Sequence, residues 1–369
     1  MSKTNKKIFF VTAEKSGNDI AYPLIEELSK KGNSIAGVGD ERFKSLENVN
    51  IVENSDSLSV MGFFEVLKQY KSIKKVFNRI VDEIIKFKPD ILILVDAPSL
   101  NFRIAEAVKK EIDVKIYGLV SPTIWVWKYK RIFKVRDLYD NMGCILPFEK
   151  DMYDKENIVA EYVGHPLITN FKIEDKKVSD EVIGILPGSR KQEIKKHISE
   201  FKKVIEYFQE KGYNGKFLVS KMSHFSDDIF EDLKDVKNVE FEERGSKFVM
   251  ENSSFLFVKS GTITLEALFS KKPFLIFYKT SFITYLIAKT FVAKNISAIG
   301  LPNIITGELT IPEYVQEWDI KNIYKKYNEF MGDKEKFLKL YNIVIKKLGK
   351  KDYIQESCKI IDSLIEEKK

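Results

Sequence analysis

Apolar runs of strand length alternate along the chain with longer segments that place an apolar residue at every third or fourth position. The first pattern predicts buried β-strands and the second predicts amphipathic helices. Predicted strands begin at Ile8, Ser34, Asp90, Val114, Cys144 and Glu161 in the first half, and at Val182, Lys216, Val239, Phe255 and Phe274 in the second. Strands and helices that alternate at this spacing predict parallel sheets joined by right-handed crossovers.

Hydrophobic periodicity fades between residues 164 and 179 and restarts at Val182, so we place a linker there. The sequence therefore predicts an α/β protein with two facing, doubly wound, Rossmann-like domains, residues 1–170 and 171–345. Residues 346–369 are predicted as a helical tail that packs either on the first domain or on a second subunit. Ligands of such sheets bind beyond the carboxyl ends of the strands, so we expect a site in the cleft between the domains.

The charge balance and the cysteines narrow the function classes. The 61 Lys and Arg residues against 54 Asp and Glu residues give a net charge of +7, which suits an anionic substrate or a lipid surface and is weak evidence for nucleic acid. Cys144 and Cys358 are far apart and lack metal-ligand spacing, which favours a reducing compartment and no metal. The apolar run after Lys7 is too short for a signal peptide, and no stretch is long enough to span a bilayer. We therefore expect a cytoplasmic protein.

Two turns in the second half are suited to an anion. Pro187-Gly188-Ser189-Arg190 follows one predicted strand, with Ser189 as a helix N-cap, and Ser260-Gly261-Thr262 follows another. Each is either an ordinary strand-to-helix connection or a phosphate site made by backbone N–H groups, with Arg190 as a bidentate donor. Two such turns in one Rossmann-like half favour a nucleotide diphosphate, and Glu266 is then placed to accept hydrogen bonds from ribose hydroxyls.

Loops in the first half also contain candidate binding and catalytic residues. Ser16-Gly17 is either an anion or sugar-hydroxyl site or a capped turn, and Asp96 is either a general base or a helix N-cap. A carboxylate at the tip of a buried strand suits a base because burial raises its pKa toward the working pH. Trp125 and Trp127 begin a basic, aromatic run that suits base stacking, a lipid headgroup boundary or the floor of a sugar site.

The remaining candidates for a binding or catalytic role are two apolar stripes, each edged by lysine residues, and the three histidines. The stripe that starts at Phe63-Phe64 and the stripe over residues 281–293 each fit a core helix, an interfacial membrane helix or an acyl-chain groove. His165, at the domain junction, either binds a ligand or closes the linker turn. His197 and His224 are predicted at the surface.

Taken in order, these loops resemble the lipid-A-disaccharide synthase family from Lys7 to about Tyr314. The motifs that match are Glu14-x-Ser16-Gly17, the run from Leu58 to Leu67, Asp96-Ala97-Pro98-x-x-Asn101, Val120 to Trp127, Leu146-Pro147-Phe148-Glu149, Gly164-His165-Pro166, Leu186 to Arg190, Ser260-Gly261-Thr262 with Glu266, and Leu301-Pro302-Asn303. Together these motifs are highly specific.

The resemblance implies a GT-B glycosyltransferase that needs no metal or other cofactor. It would join UDP-2,3-diacylglucosamine to 2,3-diacylglucosamine 1-phosphate and form the β-1,6-linked lipid A disaccharide 1-phosphate and UDP. Such an enzyme is peripheral on the cytoplasmic face of the inner membrane, where the partners are phospholipid and both lipid substrates. Nucleic acid is not an expected partner, and a homodimer stays open.

The resemblance also implies roles for individual residues. Asp96 looks like the base for the acceptor 6-hydroxyl, Glu14 lines the same site, and Arg190 stabilises the leaving UDP. UDP contacts are expected from Gly188, Ser189, Arg190, Ser260, Gly261, Thr262, Glu266 and Asn303. Acceptor or acyl-chain contacts are expected from Ser16, Gly17, Met61, Phe63, Phe64, Val66, Leu67, Trp125, Trp127 and His165.

The first loop departs from the family pattern Gly-Glu-x-Ser-Gly-Asp, because Ala13 and Asn18 replace the outer glycine and aspartate. Asp19 is expected to substitute if that aspartate is essential. Two alternatives stay open. One is another GT-B enzyme that uses UDP-N-acetylglucosamine, a lipid-linked transferase or an epimerase. The other is a basic, aromatic RNA-binding protein built around residues 125–136, which predicts steeply salt-dependent binding.

Overall fold

The computed structural model describes residues 5–59, 66–126, 128–171, 181–223, 225–281, 285 and 298–368, and the side chains of all of these except 59, 66–73 and 170. The chain divides into two compact units. The first unit comprises Met1–Ile168 and Lys350–Lys369, and the second unit comprises Thr169–Gly349.

The first unit is built on a seven-stranded parallel sheet. Its strands are β1 (Lys7–Val11), β2 (Ser34–Gly39), β3 (Val49–Asn54), β4 (Ile91–Val95), β5 (Lys115–Leu119), β6 (Asn141–Cys144) and β7 (Ala160–Tyr162), in the order β3-β2-β1-β4-β5-β6-β7. Its helices are α1 (Lys15–Lys30), α2 (Asp56–Ser59), α3 (Val66–Phe87), α4 (Pro98–Glu111), α5 (Ile132–Leu138), α6 (Pro147–Lys155) and α7 (Pro166–Asn170), which crosses into the second unit. Short 3₁₀ turns occupy Glu41–Ser45 and Tyr129–Arg131.

The central strands of this sheet are buried on both faces, which is why they read as uninterrupted apolar runs. Alternate residues of β1 enter different cores: Phe9 and Val11 pack on one face, and Ile8 and Phe10 on the other. The first face also contacts the second half of α3, where Ile80 and Ile84 are fully buried. Of the apolar stripe predicted from Phe63 onwards, the side chains of Val76 and Phe77 are described, and both are partly buried against this core.

The C-terminal tail returns to the first unit as the last helix of the chain, α15 (Tyr353–Glu366). Its apolar side packs on α1, β4 and β5, and Ile361 is fully buried there. Two polar contacts fix the helix: Tyr353 donates its hydroxyl hydrogen to the carbonyl of Ile20 at 3.0 Å, and Tyr117 and Ser357 share a hydrogen bond of 2.8 Å. The tail therefore covers one face of the first sheet.

We expect Ile361→Ala to destabilise the first unit by about 2–5 kcal/mol, because it leaves a cavity among fully buried side chains. Urea unfolding of the full chain measures this change in the free energy of unfolding. The matched control is Ile360→Ala on the same helix, where the side chain is only partly buried. Equal losses in the two variants would contradict the packing described for α15.

The second unit repeats the plan with a six-stranded parallel sheet. Its strands are β8 (Val182–Leu186), β9 (Lys216–Ser220), β10 (Val239–Glu242), β11 (Phe255–Lys259), β12 (Phe274–Tyr278) and β13 (Glu313–Val315), in the order β10-β9-β8-β11-β12-β13. Its described helices are α8 (Lys191–Glu210), α9 (Glu231–Lys234), α10 (Ser246–Glu251), α11 (Ile263–Phe269), α12 (Leu301–Thr306), α13 (Ile320–Gly332) and α14 (Lys334–Leu348), with a 3₁₀ turn at Asp227–Phe230.

Aromatic rings fill the interior of the second unit. Phe201 and Phe208 of α8 pack on Phe257 of β11, with ring centroids 6.0 Å and 5.8 Å away. Tyr327 of α13 closes the same cluster against Phe208 at 5.2 Å. This packing orients α8 along the sheet and so fixes the position of its N-terminus.

Within the described ranges, no helix is both long enough and apolar enough to cross a membrane.

Candidate functional site

Each sheet has one point where the strand order reverses, between β1 and β4 in the first unit and between β8 and β11 in the second. Val11 lies opposite Leu94 in the first sheet, and Leu186 lies opposite Val258 in the second. The loops that follow each strand pair therefore leave the sheet at the same level and side by side. Such points are where open parallel sheets bind their ligands.

In the second unit, both loops turn at a glycine whose conformation other residues rarely adopt. Gly188 has φ of 109° and Gly261 has φ of 146°. These left-handed angles let the chain turn sharply after β8 and β11. Because glycine has no side chain, a ligand between the two turns can also approach the backbone closely. The two turns predicted from the sequence as separate anion sites are thus brought together.

The two turns line one cavity of about 550 Å³, a volume typical of small-molecule sites. Six of the predicted UDP contacts lie on its wall: Gly188, Ser189, Arg190, Ser260, Gly261 and Thr262. The wall also includes residues that the sequence analysis missed, namely Ser220, Met222, Gly245, Ser246 and Lys259. Most of these lie at or beyond the carboxyl ends of β9 and β10, so their positions just after the strands predicted at Lys216 and Val239 were the signal that could have found them.

Arg190 occupies the N-cap position of α8, and the prediction that Ser189 is the N-cap is wrong by one residue. The Arg190 side chain is 76% exposed, and its Nη1 lies 3.3 Å from Oε1 of Glu193. No side chain at the N-cap accepts a hydrogen bond from the first N–H groups of α8. The N-terminus of this twenty-residue helix is the positive end of its dipole. It and the exposed guanidinium of Arg190 therefore both lie at the turn that lines the cavity.

Glu266 and Asn303 do not line this cavity. Glu266 lies in the first turn of α11, where burial raises the pKa of its carboxyl group. Asn303 is fully buried, and its side chain is used inside the unit: Nδ2 donates to Glu313 Oε1 at 2.7 Å, and Oδ1 accepts from the Ile311 N–H at 2.8 Å. This arrangement gives the Asn303 amide a structural task and does not support a direct contact with UDP.

His197 is fully buried, so the prediction that it lies at the surface is wrong. Its Nε2 accepts from the Lys279 N–H at 2.9 Å, and its Nδ1 therefore donates to the Pro187 carbonyl at 2.8 Å. The ring stacks on Trp318, and burial lowers its pKa, which keeps the imidazole neutral. His197 thus ties α8 to the start of the turn that contains Gly188.

In the first unit, Asp96 follows β4 in a conformation that costs energy. Asp96 has φ of 53° and Ala97 has φ of 41°, and left-handed residues other than glycine are rare and cluster at functional sites. The carboxylate is half-buried and accepts a hydrogen bond from the Ser16 hydroxyl at 3.1 Å. Helix α4 begins at Pro98 with Ala97 as its N-cap, so the alternative in which Asp96 caps a helix is wrong. Asn101 donates to the Asp96 carbonyl and holds the turn.

The loop after β1 packs against Asp96, because a Cβ at Gly17 would be in ordinary van der Waals contact with the Asp96 Cβ, 3.6 Å away. Glu14 is exposed at the N-cap position of α1, beside Ser16 in the chain. The structure therefore brings Ser16, Gly17 and Asp96 together, and it places Glu14 at the edge of the same loop.

Trp125 lies in the loop after β5, next to a buried acid. Its ring packs edge-on against Phe148 with centroids 5.1 Å apart, and the loop leaves β5 through Val120, whose φ of 74° is strained for a β-branched residue.

Glu149 is 2% exposed and accepts from the Leu146 N–H at 3.1 Å. Burial raises the pKa of Glu149 to about 8, although this N–H group and the neighbouring Trp125 indole oppose the shift.

We expect Glu149→Gln to reduce the pH dependence of stability. The folded pKa lies above the unfolded value of 4.5, so the folded state retains a proton that the unfolded chain loses, and wild-type stability falls as pH rises from about 4.5 to about 8. Glutamine retains an acceptor for Leu146 and cannot ionise. Urea unfolding at pH 5.5 and 8.5 should show that the variant gains stability relative to wild type at the higher pH. The control is Glu161→Gln on β7, which is exposed and should leave the pH dependence unchanged; an unchanged slope in Glu149→Gln would contradict the prediction.

His165 is 4% exposed and accepts the Leu167 N–H at Nδ1, 3.2 Å away. Burial lowers its pKa to about 4, so the ring is neutral and carries its proton at Nε2. A Cβ at the preceding Gly164 would lie 2.1 Å from the Lys351 carbonyl oxygen. This contact means that the Gly164 turn packs on the segment that leads into α15.

Several predicted residues lie outside the described residues: Met61, Phe63, Phe64, Trp127, His224 and most of residues 281–293. Val66 and Leu67 lie in the first turn of α3, for which the backbone alone is described. Within the part of the chain that the structure describes, no group of three or more His, Cys, Asp or Glu side chains could hold a metal ion. Both cysteines are free and buried.

Comparison with known proteins decides the family. The sequence profile described as "Lipid-A-disaccharide synthetase" matches residues 8–358. A lipid-A-disaccharide synthase from Sulfurihydrogenibium sp. is 32% identical over 391 aligned positions, which cover 98% of this chain and 99% of the relative. The chain belongs to the lipid-A-disaccharide synthase family. It is accordingly a glycosyltransferase of lipid A biosynthesis.

Solved structures agree on the fold. A UDP-GlcNAc 2-epimerase from Neisseria meningitidis, bound to UDP-GlcNAc, superposes with a TM-score of 0.63 at 16% identity and covers 98% of this chain and 99% of its own. The glycotransferase of kitacinnamycin superposes with a TM-score of 0.62 at 13% identity, with the same coverage. At these identities the likeness concerns the fold alone, and it confirms the predicted GT-B architecture of two Rossmann-like α/β units.

The departure from the family pattern at Asn18 has a structural explanation in this chain. Asn18 is buried, accepts from the Thr12 hydroxyl and donates through Nδ2 to Ser55 Oγ at 2.9 Å. An amide supplies the donor that an ionised carboxylate lacks. Asp19 instead pairs with Arg42 at 2.7 Å, so it takes no part in these hydrogen bonds, and its substitution for the family aspartate stays a prediction.

Proposed function

We propose that this glycosyltransferase moves 2,3-diacylglucosamine from UDP-2,3-diacylglucosamine to the 6-hydroxyl of 2,3-diacylglucosamine 1-phosphate. The products are the β-1,6-linked disaccharide 1-phosphate and UDP. The observation that carries the proposal is the cavity between the Gly188 and Gly261 turns, which combines backbone N–H groups with Arg190 in a chain of this family. Its size and its chemistry suit a nucleoside diphosphate.

In the proposed reaction, Asp96 accepts the proton of the acceptor 6-hydroxyl as the oxygen attacks the anomeric carbon of the donor. The bond from that carbon to the diphosphate oxygen breaks, and its electron pair leaves with UDP. A single displacement inverts the configuration and gives the β-linkage. The Ser16 hydroxyl orients the Asp96 carboxylate, and Asn101 holds the backbone from which it projects.

The second unit stabilises the departing UDP in this proposal. Arg190 donates to a diphosphate oxygen, and the positive end of α8 faces the same charge. Both act most strongly as negative charge develops on the leaving group, which lowers the barrier of the chemical step. Asp96 and Glu14 serve the acceptor, and none of these roles needs a metal ion.

Product analysis tests the proposal. Purified full chain is incubated with UDP-2,3-diacylglucosamine and 2,3-diacylglucosamine 1-phosphate, and the disaccharide 1-phosphate and UDP are detected by mass spectrometry. UDP-N-acetylglucosamine is the control donor. Formation of the acylated disaccharide supports the proposal. Turnover of UDP-N-acetylglucosamine alone would contradict the proposal and favour another GT-B activity.

We further propose that the enzyme works at the phospholipid surface of the inner membrane, on the cytoplasmic face. Both proposed substrates are lipids, the net charge is +7, and a lysine-edged apolar stripe begins at Phe63-Phe64. Sedimentation with vesicles of phosphatidylglycerol and phosphatidylethanolamine is expected to carry the protein into the pellet, and added salt should weaken this binding. Protein that stays in the supernatant at low salt would contradict the membrane proposal without affecting the reaction.

A further inference from the structure

Lys259 is the last residue of β11 and lies beneath both glycine turns of the second unit. A Cβ at Gly188 would come within 3.3 Å of the Lys259 Cδ, and a Cβ at Gly261 would lie 3.8 Å from its Nζ. The stem of the lysine therefore supports the first turn and its ammonium group lies beside the second. The side chain is 16% exposed, and it forms part of the cavity wall.

Glu193 links this lysine to the arginine of the first turn. One carboxylate oxygen lies 3.0 Å from the Lys259 Nζ, and the other lies 3.3 Å from the Arg190 Nη1. Burial alone would raise the pKa of Glu193, but the two cations lower it, so the carboxylate stays ionised. The cluster of two cations and one anion carries a net positive charge beside the cavity.

A carboxylate that holds two cations in place also reduces their rotamer freedom before a ligand arrives. Lysine and arginine lose appreciable side-chain entropy when they are fixed, and prior fixing lowers this cost at the moment of binding. An ammonium group has three N–H donors, and its 3.0 Å ion pair with one oxygen of Glu193 engages at most one of them. Lys259 can therefore donate to an anion while it remains paired.

We propose that Lys259 is a second cationic contact for the diphosphate of the bound nucleotide, and that Glu193 is a positioning residue for Lys259 and Arg190. The inference rests on the proposed function, because it takes the cavity as the nucleotide site. The backbone N–H groups of the two turns and the two cations line the same cavity, so all of them can contact the diphosphate. The ligand class is a nucleoside diphosphate rather than the free nucleoside.

Binding of UDP, UMP and uridine to the full chain, measured by isothermal titration calorimetry, tests this contact. Lys259→Met preserves the apolar stem under Gly188 and removes the charge. We expect it to weaken UDP binding by about 10- to 100-fold, the range for a lost charge-assisted hydrogen bond, and to leave uridine binding within about twofold of wild type. The salt dependence of UDP affinity should also become less steep.

The chain contains a matched control one strand away. Lys279 follows β12 and pairs with Glu200 of the same helix α8, with Nζ 2.6 Å from Oε1, but it does not line the cavity. Lys279→Met should therefore leave UDP binding unchanged. An equal loss in the two lysine variants, or an equal loss of UDP and uridine in Lys259→Met, would assign Lys259 a purely structural role and overturn the proposal.

A double-mutant cycle tests the positioning role of Glu193. In the Glu193→Gln background, Lys259 is no longer held, so Lys259→Met should cost at least about threefold less UDP affinity than it does in wild type. Strictly additive effects on the ratio of UDP to uridine affinity would remove Glu193 from the proposal. A wild-type chain that binds no UDP would instead refute the nucleotide site itself, so the two failures are distinguishable.

Discussion

Asp96→Asn is expected to lower the rate of glycosyl transfer by about 10²- to 10⁴-fold, the usual contribution of a general base, while UDP binding is retained. Asparagine has nearly the same shape and can still accept from the Ser16 hydroxyl, so the strained turn is preserved. It cannot take the proton of the acceptor hydroxyl. Disaccharide formation measured under saturating substrates gives kcat, and calorimetry gives the affinity for UDP.

The matched control for Asp96 flanks the other end of the same strand. Asp90 precedes β4 and accepts from the Lys7 N–H at 2.7 Å, and Asp90→Asn retains that acceptor. We expect normal turnover in this variant. Near wild-type turnover in Asp96→Asn would refute the assignment of the base, and loss of UDP binding in the same variant would indicate a wider structural effect.

Arg190→Gln is expected to lower kcat by about 10²- to 10³-fold and to weaken UDP binding at the same time, because its charge is proposed to stabilise the leaving diphosphate. The guanidinium is 76% exposed and contacts Glu193 at 3.3 Å, so its removal should cost little folding free energy. The ratio kcat/KM and inhibition by UDP measure the two effects. Unchanged UDP inhibition would remove Arg190 from the nucleotide site.

Arg136→Gln provides the comparison for Arg190. Arg136 is also exposed and also pairs with one carboxylate, that of Asp137 at 2.9 Å, but it belongs to the first unit. We expect its kcat and UDP inhibition to match wild type. A similar loss in both variants would mean that the effect arises from overall charge rather than from the turn at Gly188.

The sequence predicted the repeating strand and helix plan and most of the central strands, since strands buried on both faces are uninterrupted apolar runs. It missed β3 and β13, which lie at sheet edges. β3 is only partly buried along Val49–Asn54 and β13 has three residues, so the apolar patterns of these two strands are weak. The burial of His197 was also missed, because its partners Pro187 and Lys279 lie 10 and 82 residues away.

The candidate site was predicted in part. Six of the eight predicted UDP contacts line one cavity, because glycine turns after strands carry a local signal that survives in the sequence. Asn303 carries a family motif, yet the structure uses its amide within the unit. Lys259 was missed because a lysine at the end of an apolar strand looks like a strand terminus, and only its proximity to Glu193 and to both turns distinguishes it.

The sequence by itself determined the two Rossmann-like halves, the glycine turns and, through its motifs, the family. Those features depend on local spacing, which a single chain records directly. The tertiary structure decided that the tail helix returns to the first unit, that Ser16 meets Asp96, and that Lys259 and Arg190 share Glu193. The physical reason for the last two contacts is the order of the strands: β1 pairs with β4 and β8 pairs with β11, so Ser16 meets Asp96 and Lys259 meets Glu193 across long sequence separations that periodicity does not encode.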